Sequence, residues 1–164
     1  MHRAPCRAQR GVFMIEALVG ILIFSVGILA LIALQASAIS AQTDAQVRIE
    51  ASKRAEQLAS EIWVNVDRTN AATVQTSLAN FVHQPTGAST SCNFSGAAAA
   101  SAIVTGWATQ LTTAPTALPG TAASMLQVTA NTTAAGFNQV AITVCWKAAA
   151  DAAPRRHTLV TYVN

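Results

Sequence analysis

Neither proline nor glycine occurs between Ala30 and Pro85. Both residues interrupt helices, proline by removing a donor and crowding the preceding turn, glycine through the backbone freedom it gives up. A helix entering this stretch therefore meets nothing in its chemistry that stops it. Catalytic signatures are missing as well: there is no Gly-x-Ser-x-Gly elbow, no His-Glu-x-x-His pair and no phosphate-cradling glycine loop. No catalytic residue is assigned, and an enzyme is not expected. No Cys-x-x-Cys pair is available for a thiolate metal site, and His2, His83 and His157 stand apart from one another and from acids in sequence. No cofactor and no metal are expected. His157 follows Arg155 and Arg156, and the cluster reads as a strand edge or solvated end.

Acids are absent from residues 1 to 11, which hold Arg3, Arg7 and Arg10. These three arginines account for the whole formal charge of +3, because the remaining seven Lys/Arg face seven Asp/Glu. The basic balance is thus local to the N-terminus, and no nucleic-acid partner is expected. Directly after it, Val12 to Leu34 form 23 residues of almost unbroken apolar side chain with one charge, Glu16. At a helical rise of about 1.5 Å per residue the run covers roughly 34 Å, enough to cross a hydrocarbon layer of about 30 Å. An ordinary secretory signal has an apolar core of only about 7 to 15 residues. The arginine flank keeps the N-terminus cytoplasmic and sends the rest of the chain to the other side. A carboxylate inside a membrane segment costs about 2.5 to 3.5 kcal/mol on insertion scales, so Glu16 needs a compensating partner.

Arg10-Gly11-Val12-Phe13-Met14-Ile15-Glu16 ahead of an apolar helix resembles the class III signal of type IV prepilins. The resemblance implies cleavage between Gly11 and Val12 by a prepilin peptidase, N-methylation of Val12, and a role for Glu16, at the fifth mature position, in pairing with an N-terminal amine during assembly. The family's usual first mature residue is phenylalanine, where this chain has Val12. Ala33 to Ser37, Leu118-Pro119-Gly120 and Val140 to Trp146 also resemble PilV-type minor pilins. Cleavage after Gly11 removes Cys6 and leaves Cys92 and Cys145, for which one disulfide in an oxidising compartment is the simplest reading. Two buried free thiols are the alternative, and metal binding a weaker one.

The apolar helix continues beyond Leu34 to about Asp67, with Val47, Ala51, Leu58, Ile62 and Val66 at helical spacing. Asp44 with Arg48 and Glu50 with Arg54 are opposite charges four apart, while Glu50, Glu56 and Glu61 read as a solvated face among bases. Strict heptads are not sustained, so a covering domain, not a coiled coil, is expected over the apolar stripe. Asn70 caps a short helix over Ala71 to Phe81, 86–101 read as a loop, and Ile103 to Leu111 form another short helix before a turn at Pro115 to Gly120. Ser124 to Ala130, Phe137 to Lys147 and His157 to Val163 alternate as strands of an antiparallel meander. Val140, Ile142, Val144 and Trp146 share its core face, and Gln139, Thr143 and Cys145 point to a face left to water.

The expected fold is α+β and pilin-like, a long N-terminal helix on a small antiparallel sheet. Its segments are a leader at 1–11, a membrane and assembly half of the helix at 12–34, an amphipathic half at 35–67 and a periplasmic domain at 68–164. The resemblance implies a minor pilin of PilV type in the bacterial inner membrane and then the pilus. Its partners are the prepilin peptidase, other minor and major pilins, the inner-membrane assembly platform and membrane lipid. A pseudopilin of a type II secretion system uses the same leader and helix, and an uncleaved single-pass periplasmic binding protein is the alternative of another class.

Overall fold

A computed structural model describes residues 12–163. The chain divides into two units, one ending at Asp44 and one beginning at Ala45. Helix α1, Val12–Asn65, is a single helix of 54 residues, as the want of proline and of later glycine leads one to expect. In the first unit every residue from Phe13 to Thr43 is exposed, Phe13 at 73% and Leu34 at 68%. An isolated apolar surface of this kind is stable only in an apolar surrounding, and α1 is long and apolar enough to cross a membrane as an anchor. The hydroxyl of Ser25 donates to the Ile21 carbonyl at 2.7 Å, so that one polar group in the apolar run is satisfied within the helix.

In the second unit α1 is amphipathic. Ala51, Ala55, Leu58, Ala59, Ile62 and Val66 are buried, which adds two alanines to the stripe read from spacing, and Val47 packs half-buried against them. On the other side Arg54 pairs with Glu50 at 2.8 Å. The helix stops where Asp67 takes hydrogen bonds from the Thr69 amide and hydroxyl, which hold its carboxyl below the usual range. Asn70 then caps α2, Ala71–Ala79, accepting from the amides of Ala72 and Thr73 at 3.0 Å, while Thr73 Oγ1 accepts from the Asn70 amide. This reciprocal cap satisfies amides that the first turn of a helix cannot pair internally. Helix α3 spans Ala102–Thr112, and Trp107 donates its indole N–H to the Arg54 carbonyl of α1 at 3.0 Å.

Strands β1, Leu126–Asn131, β2, Gln139–Trp146, and β3, Arg155–Tyr162, form one antiparallel sheet in the order β1-β2-β3. Leu126 lies opposite Val144 and Ile142 opposite Leu159, which puts Leu126, Val128, Val140, Ile142, Val144 and Trp146 on one face. That face packs with the α1 stripe, Leu78 of α2 and Val104, Trp107 and Leu111 of α3 in one core. The layout is the α+β one, a long apolar N-terminal helix packed on a small antiparallel sheet, and it is consistent with pilin architecture.

The second face of the sheet departs from expectation. Thr143 is 2% exposed, Cys145 0% and Gln127 4%, whereas this face reads in the sequence as open to water. Segment 83–101 folds over it, and Cys92, Phe94 and Cys145 form a second small core with Met125 against it. The buried polar side chains of the sheet face find partners, while His83 Nε2 and Gln84 Oε1 in the cover have none. Gln127 Nε2 donates to the Gln84 and Gly87 carbonyls at 3.1 and 3.2 Å, and the hydroxyls of Thr143 and Thr158 lie 3.2 Å apart. The turn beneath depends on Gly87, at φ +113°, where a Cβ would stand 2.8 Å from the Asn93 carbonyl oxygen. Strand alternation cannot reveal such a cover, because the covering segment is Ser-, Gly- and Ala-rich and carries few apolar residues of its own.

Candidate functional site

The leader at 1–11, with Gly11, lies outside the described residues, and Val12 opens α1. Glu16, the fifth residue of the helix, is exposed in its apolar surface. Gly20 and Gly27 follow on the same helix, and nothing lies within 4 Å of a Cβ built at either. The two glycines leave shallow notches two turns apart, where another helix can approach closely. Charge and notches are thus presented outward along one element.

Cys92 and Cys145, 53 positions apart in sequence, are joined, with Cα atoms 5.8 Å apart. That separation lies inside the ordinary range for a disulfide. The bond ties segment 83–101 to the central strand, so its place is structural. His83 belongs to the same cover. Its amide and carbonyl bridge Val128 of β1, and its Nδ1 accepts the Ala99 amide at 3.2 Å. The imidazole is 5% exposed, and burial lowers its pKa from the usual 6.5. The sign of the resulting pH dependence is fixed. An unfolded chain takes up a proton near pH 6.5 while the folded one does so only at lower pH, so stability is flat above that value and falls as pH drops below it. His83→Gln, which keeps an acceptor for Ala99, is expected to flatten this fall in a pH series of urea midpoints. An unchanged slope is evidence against His83 as its source.

No group of three or more His, Cys, Asp or Glu is placed to hold a metal ion among the described residues. A cleft of about 470 Å³ lined by Asp67, Asn70, Thr73, Ser77 and Asn80 holds one carboxylate and no base to work with it. Glu56 and Glu61 accept hydrogen bonds from Ser52 and Gln57 on their own helix, as expected of a solvated face. His157 lies on β3 beside α1, in a groove of about 440 Å³ with Arg48, Ile49, Ser52, Lys53 and Glu56. The exposed aromatic residues of the second unit escaped the sequence reading: Trp63 is 41% exposed, Phe137 71% and Tyr162 47%. The available signals were Trp63 standing beside the Ile62–Val66 stripe and Phe137-Asn138 directly ahead of β2. Both of the latter adopt positive φ, 49° and 52°, a conformation that glycine and asparagine take more readily than phenylalanine. Comparison with protein-family models, with curated proteins and with solved structures gives no match.

Proposed function

We propose that the chain is a structural subunit of a type IV pilus, a minor pilin of PilV type that takes part in assembly, priming or the tip complex and catalyses nothing. The observation that carries this reading is Glu16, a lone carboxylate at the fifth position of an exposed apolar helix that follows Gly11 and a three-arginine flank. Cleavage after Gly11 by the prepilin peptidase frees an amine at Val12, positive below a pKa of about 8. In the mature helix that amine belongs to the same subunit as Glu16, while a staggered neighbour brings its own amine closer. Opposite charges about 4 Å apart attract by about 4 kcal/mol at an effective dielectric of 20, enough to offset the cost of holding the carboxylate in lipid. Partners on this reading are other minor and major pilins, the inner-membrane assembly platform and lipid. The protein passes from the inner membrane, with its second unit periplasmic, into the pilus.

N-terminal sequencing of the membrane or filament form is expected to begin at Val12, with a methylated amine. An intact Met1 to Gly11 overturns the reading and favours a permanently anchored binding protein. Glu16→Ala is expected to be cleaved and inserted normally yet to fall at least tenfold in sheared pili. Recovery at the wild-type level shows that the charge pair does not recruit the subunit.

A further inference from the structure

The two edges of the sheet are treated differently. On the outer side of β1 the chain protects its own edge: His83 and Val128 exchange both backbone hydrogen bonds at 2.9 Å. On the outer side of β3 no described residue does the same, and β3 pairs with β2 alone. Val163 donates to the Asn138 carbonyl, which fixes the alternation: odd-numbered residues of β3 pair inward, and Arg156, Thr158, Val160 and Tyr162 turn their N–H and C=O groups outward. Edge strands are commonly blunted by charge, proline or a bulge. Here Arg155, Arg156 and His157 occupy the first end, but Thr158 to Tyr162 contain no charge and no proline.

The surroundings of this edge have a definite chemistry. Toward α1 lies the groove that holds Arg48, Lys53 and His157, with Glu56 as its one acid. Glu56 is engaged by the Ser52 hydroxyl at 3.0 Å, and the buried Nε2 of His157 has no hydrogen-bond partner. On the opposite face Val160 and Tyr162 stand 46% and 47% exposed. A strand added here places alternate side chains into a basic groove and the others beside apolar surface.

We infer that the β3 edge receives, as a fourth strand, an extended segment of another protein in which acidic and apolar residues alternate. Such strand addition draws affinity from backbone hydrogen bonds and specificity from the pockets that alternate side chains enter. A second copy of this chain does not fit the chemistry. Of its seven acids, Glu16, Asp44, Glu50, Glu56 and Glu61 are on α1, Asp67 holds the turn after it, and Asp151 is bound by Arg155 in the turn before β3. The inference goes beyond the filament reading and stands whether or not the chain is cut after Gly11.

The test is residue-level amide hydrogen exchange of the full chain in detergent micelles, with an eight-residue peptide of alternating Glu and Val as probe. In the free protein the Thr158, Val160 and Tyr162 amides are expected to exchange at least tenfold faster than those of Leu159 and Thr161. The peptide is expected to slow the first three at least tenfold, and a Lys/Val counterpart to leave them unchanged. The Arg48→Glu/Lys53→Glu double variant is expected to lose the slowing while Leu159 and Thr161 keep their protection. Edge amides already slow in the free protein, protection that rises with protein concentration alone, no response to the peptide, equal protection by the lysine peptide, or undiminished protection in the double variant each overturn the proposal.

Discussion

Trp146→Ala is expected to lower unfolding stability by about 3 to 5 kcal/mol, the range for emptying a large aromatic site in a packed core. Trp146 is 1% exposed at the end of β2 and is among the largest fully buried side chains of the core shared by the sheet and α1. A loss of that size is a large fraction of the 5 to 15 kcal/mol typical of a domain, so the alanine variant should unfold at much lower denaturant. Its indole nitrogen has no hydrogen-bond partner, so the side chain works through volume alone. Trp146→Phe gives up some volume but also removes an unpaired buried donor, and its cost is expected to stay below about 1.5 kcal/mol. Equal losses for the two variants would show that the indole nitrogen finds a partner and that volume is not the dominant effect. Guanidinium titrations of the purified full chain in detergent decide between these outcomes.

The second large effect belongs to the disulfide. Removing the bond between Cys92 and Cys145, which spans 53 positions, should cost about 4 kcal/mol on the chain-entropy account. The double alanine variant is the cleaner test, because Cys145 is 0% exposed and a serine there would bury an unpaired hydroxyl. The loss should be uneven. Segment 83–101 is held to the sheet by the bond, by Phe94, and by Gln127 reaching the Gln84 and Gly87 carbonyls. The α1 stripe packs in a separate cluster on the other face. Hydrogen exchange is therefore expected to quicken at Phe94 and Gln127 before it does at Leu58 or Ile142. A reduced or variant protein with unchanged midpoint and unchanged exchange would show that the bond adds nothing to the native fold.

Much of the fold was legible because its elements carry periodic signals. The helical spacing of Ala51, Leu58, Ile62 and Val66, the Asn70 cap and the alternation through Val140, Ile142, Val144 and Trp146 all appear as elements close to where the sequence places them. Ends moved by a few residues where local hydrogen bonds decide them, as at Asn80 and Phe81, which close α2 with turns rather than extend it. The cover over Thr143 and Cys145 was not legible. Its anchor is a covalent bond between positions far apart in the chain, and its polar partners are backbone carbonyls, which no side-chain pattern encodes. Among the candidate site residues, Cys92 and Cys145 are joined, the simplest of the readings their number allowed. Glu16 stands out in the sequence as a lone charge in an apolar run, and a pairing role for it belongs to the proposal. The open β3 edge was not legible, since strand order is a property of the whole sheet.

The packing of α1 against late-coming strands also sets an order in time. Ala51, Ala55, Leu58 and Ile62 share their core with residues that begin at Val74 and end at Val163, just after β3. With synthesis at about 5 to 20 residues per second, the last of these arrives roughly 5 to 20 seconds after the helix does. Throughout that interval a sticky helical face exists without its cover, in a chain whose run from Val12 to Leu34 is almost unbroken apolar sequence. The nascent chain therefore spends its most aggregation-prone seconds before the sheet exists, and a helper that shields residues 51–66 during those seconds would act on yield rather than on final stability.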